Sequence, residues 1–308
     1  MRVCYHIQSH RCPAQVERLV RTLKAASPGS IVHVSHDRTG PPLDVSALRS
    51  LPEVAVVLAH GGYGDWTHVQ RWLDAAEWLV DAGIEVDWLV NLTGADYPLR
   101  PLGEIEAELA GSTDGFLQWY DALSATGNWD PRRSRSRYLY RHRRLAALSQ
   151  RQRARLRPLQ ALNRGQPLIR VHVSYGLTVG VRVRAPFAPG LRLYGGSAYA
   201  SLSWRCVEYV RSMVRDRPRL VEHFRHTLSP EEAFLQTVLV NNGRFALVND
   251  CKRYFDFTGS QFNHPKVLGL ADLPQALASG AHFGRKFDLD RDPEIYDALD
   301  ALVLAPRP

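Results

Sequence analysis

The sequence lacks the segments that mark exported and membrane-spanning chains. No run of about 18 apolar residues occurs, and Met1–His6 lead directly into a predicted strand, without the apolar region of roughly 7–15 residues found in signal peptides. The four cysteines are far apart and form no Cys-x-x-Cys pair. Such usage favours free thiols in a reducing compartment. We therefore expect a cytoplasmic protein without a membrane span.

Motifs of common nucleotide- and metal-binding proteins are also missing. No Gly-x-Gly-x-x-Gly follows a predicted strand, and there is no Walker A lysine loop, which argues against dinucleotide enzymes and nucleoside triphosphatases. No His-x-x-x-His lies on a predicted helix and no His/Cys cluster is present, so a structural zinc site is not expected. The run Asp288–Asp292 resembles the Asp-x-Asp pairs that hold divalent metals. Its place just before a helix that begins near Pro293 favours helix capping instead.

Lysine is scarce, and the basic residues are concentrated in one segment. The net charge is +8, from 39 basic and 31 acidic residues, and only four of the basic residues are lysines. Eleven arginines and no acid lie between Pro131 and Pro158, so subtracting this segment from the net charge leaves −3 for the rest of the chain. Three interpretations stay open: a solvated face, a rim for an acidic substrate, or a surface for nucleic acid or acidic membrane.

Strands and helices alternate through the first 120 residues. This alternation is typical of a mainly parallel sheet with helices on its faces, and ligands bind such sheets beyond the carboxyl ends of the strands. Polar residues at those ends are Ser9, His10, His36, Asp37, His60, Gly61 and Thr93–Asp96. The predicted strands are Val3–Gln8, Ile31–Val34, Val54–Leu58, Asp87–Leu92 and Gly115–Trp119, and the predicted helices are Pro13–Ala25, Trp66–Ala82 and Glu104–Leu109.

The remaining chain predicts mixed structure after the arginine-rich segment, which we expect to be partly helical over Tyr138–Arg155. No internal repeat or low-complexity linker is present, so one α/β domain is predicted. The later strands are predicted at Leu168–Val173 and Leu177–Val183, and the helices at Trp204–Arg215, Glu231–Asn241 and Pro293–Leu302.

Two short motifs have both a structural and a chemical interpretation. Ser229–Glu232 is typical of a helix start with a capping box between Ser229 and Glu232. It also places a carboxylate where it could take a proton from a substrate hydroxyl. Phe283–Phe287 is either a surface strand with solvated charges or a clamp for a phosphate group.

Six segments, in this order, resemble the core-2/I-branching β-1,6-N-acetylglucosaminyltransferase family, which includes the peptide O-xylosyltransferases. Each is weak alone, but together they run from residue 5 to residue 287 and are fairly specific. They are Tyr5–His10 with Glu17–Arg21, His33–Asp37, Asn91–Leu99, Gly196–Tyr199 with Leu202–Ser203, Ser229–Glu232, and Phe283–Phe287.

The resemblance implies a GT-A-like fold and an inverting, metal-independent transfer of a sugar from a UDP-sugar to an acceptor hydroxyl, with no cofactor. The sugar would be N-acetylglucosamine or a related one. The implied roles are Glu232 as catalytic base, Arg285 and Lys286 as diphosphate clamp, and Asp37 as nucleoside contact. An arginine of some members aligns near Asn263, for which Lys266 is a candidate substitute. Within the domain 1–308, residues 1–120 would bind nucleotide, 121–166 would lie on the acceptor side, and 167–308 would carry the base and the clamp.

The acceptor site has no recognisable family pattern. We expect Arg132, Arg133, Arg135 and Arg137 to line it and Arg141–Arg157 to form a solvated helix face. Tyr199 and Trp119 are candidates for stacking on a sugar, with core packing as the alternative. The expected acceptor is a saccharide or small molecule.

A competing function is a polyanion-binding module that uses residues 131–158 to bind nucleic acid or an acidic membrane surface. For the transferase we expect no nucleic acid partner, while a peripheral membrane contact stays open. Animal members of the family carry a membrane anchor and several disulfides. This sequence shows neither pattern, which favours a bacterial-type, cytoplasmic member.

Overall fold

The computed structural model describes residues 1–111, 113–124, 130–259 and 264–305. The strands are β1 Val3–Ser9, β2 Ile31–Asp37, β3 Val54–Ala59, β4 Trp88–Thr93, β5 Asp96–Pro98, β6 Gly115–Asp121, β7 Tyr140–Ala146, β8 Ile169–His172, β9 Leu177–Arg182, β10 Tyr194–Ser203, β11 Leu247–Val248, β12 Arg253–Phe255 and β13 Phe283–Arg285. The α-helices are α1 Pro13–Ala26, α2 Val45–Arg49, α3 Thr67–Asp81, α4 Leu102–Leu109, α5 Pro131–Tyr138, α6 Gln150–Leu156, α7 Trp204–Asp216, α8 Pro218–Arg225, α9 Phe234–Val240, α10 Leu273–Ala278 and α11 Pro293–Val303. Short 3₁₀ helices cover Arg157–Asn163, Pro230–Glu232 and Leu270–Asp272.

The central sheet is mixed but mainly parallel. Among the described residues its strand order is β11-β6-β10-β4-β1-β2-β3. Strand β1 pairs in parallel with β2 and β4, and β3 pairs in parallel with β2. Strand β10 runs antiparallel to both β4 and β6. The carboxyl ends of β1 to β4 therefore meet at one edge, as predicted for a ligand site.

Two apolar layers cover the faces of this sheet because successive strand residues point to opposite sides. Along β1, Val3, Tyr5 and Ile7 join the layer that contains α1, α4 and α11. Cys4 joins the opposite layer, with α3, α7, α8 and α9. The α/β class and the mainly parallel sheet flanked by helices are confirmed. The division into functional parts stays a prediction.

The arginine-rich segment differs from its prediction. Tyr138–Arg155 is not one helical region, because α5 ends at Tyr138 and Tyr140–Ala146 form β7 before α6 begins. Tyr140 and His142 are buried while Arg141 and Arg143 are exposed, which is the period of a strand. Strands β7, β9 and β8 form a separate antiparallel sheet.

A third sheet, of order β12-β13-β5, brings the segment after Phe283 to the ligand edge. Strand β13 pairs antiparallel with β5, so Arg285 lies opposite Asp96. Phe283 and Phe287 are buried on either side of the two cations, which overturns the surface-strand interpretation. The chain thus anchors Arg285 and Lys286 between two buried aromatic rings.

Candidate active site

A cleft of about 2000 Å³ opens at the carboxyl edge of the central sheet. Polar residues predicted at the strand ends line it. Ser9, Asp37 and Thr93 are the last residues of β1, β2 and β4, and His10 follows β1. Of the residues assigned from the resemblance, the cleft brings together Glu232, Arg285, Lys286 and Asp37. The fold therefore joins segments that lie far apart in the sequence.

Glu232 is fixed by an arginine of the basic segment. Its Oε2 accepts a hydrogen bond of 2.6 Å from Arg137 Nη1, and the Arg137 side chain is 8% exposed. The Ser229 side chain does not cap the following helix, so the capping-box interpretation is wrong. Because only one carboxylate oxygen of Glu232 faces Arg137 in this pair, the carboxylate is held in place while it still lines the cleft.

A hydrogen-bonded tyrosine supports this carboxylate. Ser229 Oγ donates to the hydroxyl of Tyr175 at 2.9 Å, and Arg137 Nη2 donates to the same hydroxyl at 3.5 Å. The Tyr175 ring packs edge-on against Tyr63, with centroids 5.0 Å apart. Gly64 has φ +66°, and a Cβ there would lie 2.6 Å from the Tyr175 ring. Glycine thus permits the close approach of this turn to Tyr175.

The neighbouring Glu231 has a different environment. Burial, and then the charge of Glu232, raise the pKa of Glu231 to about 8. Its Oε2 is buried and has no hydrogen-bond partner among the residues that the structure describes. At neutral pH, Glu231 is therefore largely protonated, which makes it a hydrogen-bond donor rather than a second anion.

The other end of the cleft carries positive charge. Arg285 donates to Asp96 Oδ1 at 2.9 Å and also to Thr93 Oγ1, and its guanidinium lies 4.8 Å from the centroid of the Tyr199 ring. Tyr199 therefore stacks under a cation at this end of the cleft. Tyr199 itself lines the cleft, and its stacking on an acceptor sugar stays a prediction.

Lys286 and Arg11 add two cations with no ion-pair partner in the described parts of the chain. Both line the cleft. Burial lowers the pKa of Lys286, and the charges of Arg11 and Arg285 lower it further. An anion bound among these cations would relieve their mutual repulsion. Sequence reasoning missed Arg11, although it lies directly beyond the end of β1.

Asp37 lines the cleft in its ionised form. Burial raises its pKa, but hydrogen bonds from the backbone and side chain of Thr39 outweigh this, so the pKa is lowered. These bonds measure 3.0 Å and 2.9 Å to Asp37 Oδ1. The carboxylate is thus preset as a hydrogen-bond acceptor.

Two residues assigned to the site lie outside the cleft. Lys266 is paired with Asp272 at 2.6 Å and Asp256 at 3.6 Å. Trp119 does not line the cleft, whereas its neighbour Gln118 in β6 does. Successive side chains of a strand point to opposite faces, so both cannot face the cleft. Asn263, near which a family arginine aligns, lies outside the described residues.

The expected acceptor arginines are only half correct. On α5, Arg133 and Arg137 line the cleft, whereas Arg132 and Arg135 do not. A spacing of four places the first two on one helix face. Three arginines predicted to be solvated also line the cleft, namely Arg144, Arg153 and Arg157.

In the described ranges, no three His, Cys, Asp or Glu side chains are grouped as a metal site. Asp292 Oδ1 accepts a hydrogen bond from Ile295 N at 3.2 Å, which confirms its helix-capping interpretation. All four cysteines are unpaired. No described helix combines the length and the apolar character needed to span a bilayer.

A mainly parallel sheet with a wide polar cleft at the carboxyl ends of its strands is the arrangement of ligand-binding α/β proteins. The chain belongs to the Core-2/I-Branching enzyme family, whose sequence model matches residues 9–277. The resemblance of the six segments is thereby confirmed.

Similar proteins include plant and animal transferases. "Beta-glucuronosyltransferase GlcAT14A" of Arabidopsis thaliana is 26% identical over 248 residues, which cover 77% of this chain and 47% of the relative. The mouse "Beta-1,3-galactosyl-O-glycosyl-glycoprotein beta-1,6-N-acetylglucosaminyltransferase 4" is 23% identical over 96% of this chain and 64% of its own length. The chain therefore spans about half to two thirds of these relatives. The apo structure of the glycosyltransferase GlyE from Streptococcus pneumoniae TIGR4 matches 97% of this chain and 59% of its own, with 9% identity and a TM-score of 0.36.

Proposed function

We propose that this protein transfers a sugar from a UDP-sugar to an acceptor hydroxyl, with inversion at the anomeric carbon and without a metal ion. The supporting observation is that Glu232 and the cations Arg285 and Lys286 line the same cleft at the carboxyl edge of the sheet. A base and an anion-binding group on one cleft are what an inverting displacement requires.

In the proposed reaction, Glu232 takes the proton of the acceptor hydroxyl while that oxygen attacks the anomeric carbon. The bond from this carbon to the diphosphate breaks, and UDP leaves from the opposite face. Lys286, Arg285 and Arg11 stabilise the negative charge that develops on the leaving diphosphate. Asp37 contacts the nucleoside. The preset geometry of these groups is the contribution of the fold to the rate.

The donor sugar we propose is N-acetylglucosamine or a close relative. One relative is named for N-acetylglucosaminyl transfer and another for glucuronosyl transfer, so UDP-glucuronate is the second donor to test. A cytoplasmic location is also part of the proposal.

A thermal-shift screen tests the donor. The panel is UDP-N-acetylglucosamine, UDP-glucuronate, UDP-xylose, UDP-galactose and UDP-glucose. A ligand at 100 times its dissociation constant stabilises a protein by about 2.7 kcal/mol. Absence of stabilisation by every nucleotide sugar, together with steeply salt-dependent binding to DNA, RNA or acidic vesicles, would support the polyanion-binding module instead.

Replacement of the base tests the mechanism. Glu232→Gln should reduce turnover by about 10²–10⁴-fold while UDP binding stays nearly intact, because the cations at the other end are untouched. Glu231→Gln is the matched control and should be milder. Turnover of Glu232→Gln above about half of the wild-type rate would assign the base to another residue.

A further inference from the structure

Arginines of four different elements form a wall on the same cleft as Glu232. Arg133 comes from α5, Arg144 from β7, and Arg153 from α6, with Arg157 following at the start of the 3₁₀ helix. On α6 and the 3₁₀ helix that follows, the cleft-lining positions are 150, 153, 154, 157 and 160, the spacing of one helix face. Arg151 and Arg155 do not line the cleft. We call Arg133, Arg144, Arg153 and Arg157 the arginine wall.

Most of the positive charge on the arginine wall is not neutralised by the protein. Arg133 and Arg157 have no ion-pair partner in the described parts of the chain, and Arg153 donates only to the backbone carbonyl of Leu148, at 3.1 Å. Arg144 alone is paired, with Asp65 at 3.1 Å. A cleft with walls of low dielectric concentrates the field of such charges.

The tyrosine pair connects this wall to the base. Arg144 donates to the backbone carbonyl of Tyr63 at 2.8 Å. Burial raises the pKa of the Tyr63 hydroxyl, and Arg153 lies close enough for its charge to oppose part of that rise. Tyr63 packs on Tyr175, whose hydroxyl contacts Arg137, the partner of Glu232. The aromatic surface between base and wall suits the apolar face of a sugar ring.

We propose that the acceptor is an anionic saccharide, and that the arginine wall binds a carboxylate or phosphate on the part of it next to the attacking hydroxyl. Guanidinium groups bind both anions through paired N–H donors, which fixes orientation as well as charge. This inference rests on the proposed transferase function and assigns the substrate class of the same cleft.

The experiment uses matched pairs of acceptors and of variants. The acceptors are a galacturonate oligosaccharide with its carboxyl-reduced galactose counterpart, and a phosphorylated oligosaccharide with its dephosphorylated form. The variants Arg133→Gln and Arg153→Gln change the wall. Their controls are Arg132→Gln and Arg151→Gln, which change exposed positions of the same two helices outside the cleft. Binding of each oligosaccharide is measured by calorimetry at two salt concentrations, and transfer is measured where it occurs.

We expect an acidic oligosaccharide to bind at least about tenfold more tightly than its neutral counterpart. This preference should shrink in Arg133→Gln and Arg153→Gln and persist in the two controls. A preference for the carboxylate pair or for the phosphate pair identifies the anion. Equal binding of acidic and neutral forms, or equal losses in wall and control variants, would overturn the proposal.

Oligosaccharide binding separates this proposal from the transferase function. UDP binding and slow hydrolysis of the UDP-sugar need no acceptor, so their absence counts against the proposed function alone. Normal UDP binding with no acid preference counts against the arginine wall alone.

Discussion

Two adjacent glutamates, Glu231 and Glu232, sit in opposite electrostatic environments. Glu232 faces the guanidinium of Arg137 at 2.6 Å, whereas the Oε2 of Glu231 is buried without a partner among the described residues. Like charges at adjacent carboxylates disfavour double ionisation. The pair thus places an acid of raised pKa, Glu231, beside a carboxylate that is ion-paired with Arg137.

This asymmetry predicts how stability depends on pH. The pKa of Glu231 is raised from 4.5 to about 8. Between pH 4.5 and about pH 8, the folded state therefore holds a proton that the unfolded state has released. The free energy of unfolding therefore falls as the pH rises through this range. Glu231→Gln should raise the melting temperature at pH 8 and lose this advantage near pH 4.5. A gain of equal size at both pH values in calorimetric scans would contradict the assignment.

Lys286 and Lys266 provide a test variant and a control variant for the anion-binding site. Lys286→Ala should weaken UDP binding by about tenfold to over a hundredfold, since charge-assisted hydrogen bonds contribute roughly 1.5–3 kcal/mol. Lys266→Ala should leave UDP affinity within about twofold because Lys266 is paired with Asp272 outside the cleft. Titration calorimetry of the two folded variants decides the matter. Similar losses in both would mean that bulk charge, rather than the position of Lys286, attracts UDP.

At the scale of elements, β1 and β2 bury histidines against each other. His6 and His33 are opposite in register, and their Nδ1 atoms are 3.0 Å apart. Burial lowers the pKa of His33 to about 4 and that of His6 well below its usual value. One Nδ1 must donate and the other accept, so the sheet holds both rings neutral.

Acid should therefore unfold this protein through its sheet. Below about pH 6.5 these histidines bind protons in the unfolded chain but stay neutral in the folded protein. Each of them lowers the free energy of unfolding by up to about 1.4 kcal/mol per pH unit. The melting temperature should fall between pH 7 and pH 5. His33→Asn should make this fall less steep, and exposed His60→Asn should not. A curve unchanged by His33→Asn would show that other groups control acid unfolding.

Strands and helices were predicted correctly from the sequence where the apolar residues follow a single period. Apolar runs fixed β1, β2 and β4, and helical spacing fixed α1 and α3. Strand β7 was missed because arginine occupies both of its faces, which conceals the alternation of Tyr140 and His142. Trp119 was misplaced because the direction of a strand face changes with a register shift of one residue.

Only those site residues that lie in local sequence motifs could be predicted from the sequence. Glu232, Lys286 and Asp37 lie in recognisable segments. Arg137 could not be distinguished from Arg135 by sequence, because its role depends on the face of α5 that meets Ser229–Glu232. Long-range pairings such as Lys266 with Asp272 are also invisible to a motif, since unpaired and paired lysines look alike in a sequence.

At the scale of the whole molecule, cations from separate segments replace the charge of a metal in the proposed reaction. Arg11 follows β1, while Arg285 and Lys286 come from β13 and its end. Turnover should therefore survive excess EDTA. Loss of activity in EDTA that manganese or magnesium restores would contradict this and point to the acids at positions 288, 290 and 292.

The order of these segments along the chain also has a consequence during synthesis. Strands β1 to β4 and Glu232 leave the ribosome before β13, which carries the anion-binding cations. The 54 residues from Glu232 to Lys286 take roughly 3–11 s to add at about 5–20 residues per second. During that interval the cleft has Glu232 and Arg11 but lacks Arg285 and Lys286, and the core layer that contains α11 is also incomplete. Newly made molecules therefore gain most of the cations that bind a charged donor after the base, shortly before α11 completes the core.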